Sequence, residues 1–178
     1  MSALSAMSPL STLSASSEER AERLSKIRDL IEKIPVCMMT TTGADGSIHS
    51  RPMAYLRMEA DGELIFFTRA ASTKSIEVRR NRQVNLTFAD PAHNLFISVS
   101  GRAHVVNDRD KVAELFTPIM KHWFPDGASD PTLRLFVVDP RAAEYWDGPS
   151  GLGLVFAVAR SVLTGEKAEL GEHDFFEL

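Results

Sequence analysis

A single cysteine, Cys37, stands in 178 residues. One thiol cannot close an intrachain disulfide or build a thiolate zinc cluster. Such sparing cysteine use fits a reducing compartment, so a cytoplasmic location is expected. No run of about 18 apolar residues occurs, and no transmembrane helix is expected. An excess of positive charge is also missing: 20 Lys and Arg face 24 Asp and Glu, for a formal net charge of -4. That balance argues against non-specific nucleic-acid binding, which needs a broad cationic surface. The common catalytic signatures are absent as well. There is no Gly-x-x-x-x-Gly-Lys-Ser/Thr loop and no Gly-x-Gly-x-x-Gly between a strand and a helix. Gly151-Leu152-Gly153 is too short for the second, and Gly148-Pro149-Ser150-Gly151 fails the nucleophile-elbow spacing. His49, His93, His104, His122 and His173 show no metal-ligand spacing, so no metal site is expected.

What remains is an ordinary globular composition, with 44% hydrophobic and 25% charged residues. Residues 1–17 are mostly Ser, Ala, Leu and Met. They lack the basic start and unbroken apolar stretch of a secretory signal, and read as a disordered arm. Ser16 and Glu19 then form a capping box for a helix. Its apolar face carries Leu24, Ile27, Leu30, Ile31 and Ile34, and Pro35 ends it.

After Pro35 short runs alternate with turns. Residues 36–41, 49–58 and 64–68 read as strands of an antiparallel meander, divided by turns at 43–46 and 60–62. Residues 72–81 read as a helix, 83–89 as an alternating strand, and 94–106 as a long strand bent at Gly101. A second amphipathic helix is expected over 108–123. Two further strands, 133–138 and 142–146, meet at Asp139-Pro140. A glycine-rich joint over 148–153 leads to a last helix over 154–163, and an acidic, mobile end follows over 166–178. Strand follows strand, which disfavours a doubly wound parallel sheet and favours a small barrel with helices at its ends.

The informative stretch surrounds the joint between the third strand and the next helix. Arg51, Arg57, Arg69, Lys74, Arg79, Arg80 and Arg82 stand there against Glu59, Asp61, Glu63 and Glu77, a local excess of cations in an acidic chain. Small and hydroxyl residues at a helix start let an anion reach the free N–H groups. Ser72, Thr73 and Lys74 would then form a phosphate cradle, with Arg51 on the neighbouring hairpin adding a two-pronged contact. Ser-Thr-Lys before a helix is equally an ordinary cap, and spacing alone leaves both readings open. A second cluster pairs Trp123 with Phe124 and Tyr145 with Trp146, each beside a turn. Paired aromatics there can wall a flat ring, close a barrel mouth or face another subunit.

The pieces Ser50-Arg51-Pro52-Met53, Phe66-Phe67-Thr68, Ser72-Thr73-Lys74 and Glu144-Tyr145-Trp146-Asp147, in that order and spacing, resemble the pyridoxamine 5'-phosphate oxidase-like flavin-binding split barrels. The likeness covers roughly residues 25–151 and is greatest to the bacterial general stress protein branch. It implies a mainly β fold with flanking helices (α+β): a six-stranded antiparallel split β-barrel over residues 18–150. Residues 151–178 then form a C-terminal helix and acidic tail. It also implies a homodimer that holds FMN, with riboflavin or FAD as related ligands, at its interface. By position, Arg51 and Lys74 would hold the phosphate, with hydrogen bonds from Ser72 and Thr73. Pro52 and Met53 would approach the flavin ring, and Phe67 and Thr68 would line the ring and ribityl chain. Trp123, Phe124 or Trp146 would come from the partner. The chemistry implied is flavin redox chemistry with NAD(P)H as a candidate donor. No general acid, base or nucleophile stands out, so a non-enzymatic flavin store or sensor stays open, as does a deazaflavin in place of FMN. The Arg-x-His motif with which the oxidases grip the vitamin phosphate is missing after Trp146, so oxidation of vitamin B6 is not expected.

Overall fold

The computed structural model describes residues 17–149 and 171–178. Of the arm expected over residues 1–17, residues 1–16 lie outside the described residues, as does the helix expected over 154–163, and Ser17 already opens a helix. The first helix, α1 (Ser17–Ile31), buries Leu24, Ile27, Leu30 and Ile31, the face its spacing marked. A meander follows, made of β1 (Val36–Thr42), β2 (Ile48–Met58) and β3 (Leu64–Arg69). Next come α2 (Thr73–Arg80), β4 (Gln83–Asp90), β5 (Leu95–Val106), α3 (Arg109–Leu115) and β6 (Leu133–Asp147). The last element is β7 (Glu172–Glu177).

All strand pairs are antiparallel, in the order β3-β2-β1-β4-β5-β6-β7. A further β3–β6 ladder, from Leu64 opposite Val138 to Arg69 opposite Leu133, closes β1 to β6 into a six-stranded barrel. Its interior holds Cys37, Met39, Met53, Phe66, Leu86, Phe88, Ile97, Val99 and Phe136, and α1 packs into the same core. Each such large side chain contributes roughly 1.5–3 kcal/mol through burial.

Three elements differ from the sequence reading. The two strands expected over 133–138 and 142–146 are one strand, β6. The ladder with β5 slips its register at Ser100/Gly101, so the chain carries Pro140 through at an irregularity, where a missing N–H costs little. Gly101 makes this possible: a Cβ there would stand 2.4 Å from the Asp139 carbonyl oxygen. The helix expected over 108–123 stops at Leu115. Asp108 caps its start, and Pro118 forces the chain into a 3-10 turn over Pro118–His122. The acidic end, expected to be mobile, is tied down over Glu172–Glu177. There Phe176 packs on Tyr145, and Glu172 accepts hydrogen bonds from Lys26 Nζ and the Tyr145 hydroxyl, both at 2.6 Å.

The two outer faces of the barrel are unlike. Over β3 and the first half of β6, Ile65, Phe67, Leu133, Leu135 and Val137 are roofed by α3 and the segment after it, in a second apolar cluster. Over β2, β1, β4, β5 and the second half of β6 no described element covers the sheet. Val36, Met38, Phe96, Trp146 and Phe175 are 48, 42, 36, 41 and 57% exposed there. The register places them in two neighbouring rows. One runs through Ala54, Val36, Ala89, Phe96 and Trp146, the other through Pro52, Met38, Thr87, Ser98 and Glu144.

Candidate functional site

The joint between β3 and α2 is built on hydroxyls. Ser72, in extended conformation, caps α2 by accepting from the Ser75 N–H. Its Oγ lies 3.0 Å from Thr68 Oγ1 and 2.8 Å from Ser75 Oγ, and Ser75 Oγ donates to the Arg69 carbonyl at 2.8 Å. This ring satisfies the polar groups of a buried turn and fixes the direction in which α2 leaves the barrel. Thr73 is exposed on the first turn, beside the half-buried Lys74.

Lys74 has no hydrogen bond or ion pair to any described residue. Burial, with the positive charge of Arg51 added, pulls its pKa below the ordinary lysine value. Arg51, on β2, is anchored. Its Nη1 donates to Thr41 Oγ1 at 2.5 Å and its Nη2 to Glu77 Oε2 at 3.1 Å. Glu77, on α2 and buried, also accepts from the Thr41 hydroxyl at 2.5 Å and bonds His49 Nδ1 at 2.6 Å. His49 Nε2 in turn lies 3.1 Å from Ser47 Oγ. Two cations thus face one another at the start of α2. One is held in place by a carboxylate, and the other lacks an acceptor among the described residues. An anion placed between them would relieve both. Beside them an open groove of about 460 Å³ runs between the β1–β2 turn and α2, past Gly43, Asp45, His49, Thr73, Ile76 and Arg80.

The sequence reading did not single out Glu77, Thr41 or His49. Thr41 and His49 stand opposite one another in the β1–β2 register, and Glu77 follows Thr73 by one helical turn. Only the packing of α2 on β1 joins the three. Burial pushes the Glu77 pKa up, but the Thr41 hydroxyl, His49 and Arg51 outweigh it and hold the carboxyl below its ordinary 4.5. A carboxyl depressed in the folded state adds stability above its unfolded pKa and loses it as pH falls through the folded one. Urea midpoints should therefore drop below about pH 4.5, and Glu77→Gln should be less stable at pH 7 but flatter across the acid range. Parallel profiles for the two proteins would show that Glu77 carries none of the acid sensitivity.

The other expected site residues fall into separate places. Pro52 is exposed on the uncovered face, opposite Met38. The Met53 side chain points into the barrel core, so only its backbone faces outward. Phe67 and Thr68 point to opposite sides of β3. The Phe67 ring lies in the second cluster, 5.9 Å from Phe116 and 6.0 Å from Phe124, and Thr68 belongs to the hydroxyl ring. Phe124 also sits under the Arg69 guanidinium, at 5.1 Å, and the exposed Trp123 accepts from Arg69 through its carbonyl at 2.8 Å. Trp146 stacks on His173 at 5.0 Å. Along the sheet, β1, β4 and β5 lie between Pro52 on β2 and Trp146 on β6, so the two stand on different parts of the barrel wall. Within one chain, then, Arg51, Lys74, Thr68, Ser72 and Thr73 come together, and Trp123, Phe124 and Trp146 stay apart from them. Burial pushes the Cys37 thiol up to about 12, which leaves no thiolate for redox chemistry at neutral pH. Among the described residues no group of His, Cys, Asp and Glu is placed to hold a metal ion. None of their helices is long and apolar enough to cross a membrane.

Comparison with known proteins agrees with this architecture. Protein bli-3 of Neurospora crassa is 32% identical over 146 residues, 76% of this chain and 70% of its own length. A Jannaschia protein assigned to general stress protein 26 superposes with a TM-score of 0.70 at 20% identity, over 89% of this chain and 99% of its own, a likeness of fold. The general stress FMN/FAD binding protein of Xanthomonas citri superposes with a TM-score of 0.63 at 28% identity, over 73% of this chain and 92% of its own. Residues 22–169 match the family described as pyridoxamine 5'-phosphate oxidase like. With its closed six-stranded barrel and that match over most of its length, the chain belongs to the pyridoxamine 5'-phosphate oxidase-like family, among split barrels that include general stress proteins.

Proposed function

We propose that this protein binds FMN as a homodimer and uses it in redox chemistry on a small acceptor, with the flavin phosphate held between Arg51 and Lys74. The observation that carries this reading is Lys74, a half-buried ammonium beside a guanidinium and without an acceptor among the described residues. A dianionic phosphate ester supplies the missing charge, and Thr73 and the first N–H groups of α2 can donate to it. The FMN/FAD-binding relative from Xanthomonas citri supports a flavin as the ligand. The flavin itself supplies the electron transfer, and the protein sets its orientation, access and surroundings. Pro52, with no N–H to donate, and the outward backbone of Met53 leave a flat edge on β2 beside the cradle, suited to a ring system.

The dimer is supported by the apolar face of β1, β4, β5 and β6 that the described residues leave uncovered. A second copy laid across it would cover Met38 and Phe96 and could bring the partner's Trp146 toward the ring over Pro52. Arg-x-His being absent after Trp146, the acceptor is not read as vitamin B6.

Purified protein should be yellow and should release FMN on denaturation, as identified by mass spectrometry. Rapid bleaching on mixing with NADH or NADPH should follow if the protein turns over, whereas an inert flavin would mark a store. Colourless protein that takes up neither FMN, riboflavin nor FAD would reject the flavin reading altogether.

A further inference from the structure

On the uncovered side of the barrel, beyond the far end of α2, three arginines from three segments converge. Arg82 lies on the link into β4, and its carbonyl accepts the Ala103 N–H at 2.7 Å, which pins it to β5. Arg102 is on β5, opposite Gln83 on one side and Asp139 on the other. Arg141 is on β6, next to the register slip. With Asn81, Gln83 and Ser100 they line an open groove of about 710 Å³, and no carboxylate lines it. Its floor is Gly101, where the Asp139 carbonyl leaves no room for a side chain. Arg141 pairs with Asp139 at 2.6 Å, and in an adjoining recess of about 330 Å³ all three arginines meet Asp139 and Glu63. Arg82 and Arg102 make no ion pair and no side-chain hydrogen bond with any described residue.

We infer that this groove is a second anion site, separate from the flavin cradle, which takes a small molecule carrying two linked phosphates, such as a nucleoside diphosphate. Asp139 neutralises Arg141, but Arg82 and Arg102 pair with no carboxylate among the described residues and repel one another, in a chain whose net charge is -4. A multiply charged anion removes that repulsion, and guanidinium forks match phosphate oxygens in pairs. The three residues span β4, β5 and β6, two strand spacings or about 10 Å. That spread exceeds one phosphoryl group and suits two. The amides of Asn81 and Gln83 and the Ser100 hydroxyl offer neutral hydrogen bonds to the remainder of the ligand. Asp139 and Glu63 close the basic strip on one side, which favours a compact ligand over a continuous nucleic-acid backbone. The eight residues of α2 put about 12 Å between its first turn, where Lys74 lies, and Arg82 past its last. The inference therefore does not depend on flavin binding.

Calorimetric titration of inorganic pyrophosphate, ADP and AMP into the full chain, at about 150 mM salt to screen loose ion pairing, tests it. Saturable binding of one pyrophosphate or ADP per chain is expected, with AMP weaker by about tenfold or more. Arg82→Gln with Arg102→Gln should weaken ADP by about 100-fold while leaving the circular dichroism spectrum and the flavin content as in the parent protein. Three outcomes overturn the inference: no saturable heat from pyrophosphate up to about 10 mM, equal affinity for AMP and ADP, or unchanged ADP binding in the double variant. Binding of a DNA oligonucleotide in preference to ADP would equally overturn it, by making the strip a nucleic-acid surface.

Discussion

Replacing Arg51 and Lys74 together by alanine should abolish FMN retention. Each substitution removes a charge-assisted contact worth roughly 1.5–3 kcal/mol, and the pair should weaken FMN by about 10²–10⁴-fold. The two single variants should differ in an informative way. Lys74 has no acceptor among the described residues, so Lys74→Ala should lower FMN affinity by about 10–100-fold and leave the thermal midpoint of the flavin-free protein where it was. Arg51 is also the cation that faces buried Glu77, at 3.1 Å. Arg51→Ala leaves that carboxylate with Thr41 and His49 alone, so it should lower both FMN affinity and the thermal midpoint. Riboflavin carries no phosphate and should bind both single variants nearly as it binds the parent protein. Fluorescence titration with the two flavins reads all of this. An FMN affinity that survives the double change would move the phosphate away from this corner.

The link between Arg51 and Glu77 bears on how the cradle is prepared. An arginine that waits in water loses side-chain entropy when it binds a ligand. Here Glu77 and Thr41 hold the guanidinium beforehand and leave part of its fork free, so less ordering remains for the binding step. Among the described residues, buried carboxylate, half-buried guanidinium and unpaired ammonium together leave the corner with one uncompensated positive charge from Lys74. That is the electrostatic condition under which an anion binds without first displacing a protein carboxylate.

Much of this was legible in the residues before any fold was known. The turns at 43–46 and 60–62 and the alternation of Val84, Leu86 and Phe88 mark short antiparallel strands, and local pattern sufficed there because each strand has one wet face. It failed where both faces are buried. Leu64-Ile65-Phe66-Phe67-Thr68 is buried throughout, so nothing in the run says that Phe67 and Thr68 look opposite ways. It failed again at Pro140, which reads as a strand breaker but is accommodated by Gly101, a residue on another strand and 39 positions away by number. The acidic end read as mobile because its charges dominate the composition, yet Phe176 and the Lys26–Glu172 pair attach it to the barrel. Arg51 and Lys74 were visible as residue types beside a helix start. Glu77 looked like one more surface charge on an amphipathic turn, because its partners Thr41 and His49 lie in a hairpin more than 25 residues earlier.

Phe96→Glu should split the protein into monomers and take flavin affinity down with it. Phe96 sits in the uncovered row between Ala89 and Trp146, and at 36% exposure a glutamate there costs the single chain little. In a two-fold interface the substitution appears twice on the same buried patch, where two desolvated carboxylates have no cation to meet them. Sedimentation at about 10 µM should then show a species of roughly half the parent mass. If the ring over Pro52 is walled by the partner's Trp146, FMN affinity should fall by about tenfold or more in the same variant, and should rise with protein concentration as dimers re-form. A second variant, Trp146→Ala, keeps the dimer but removes the wall, so it should lower flavin affinity without changing the sedimentation profile. A Phe96→Glu protein that stays dimeric would place the interface on another face. Monomers that hold FMN as tightly as the parent would mean that each chain builds its pocket alone, without a partner's Trp146.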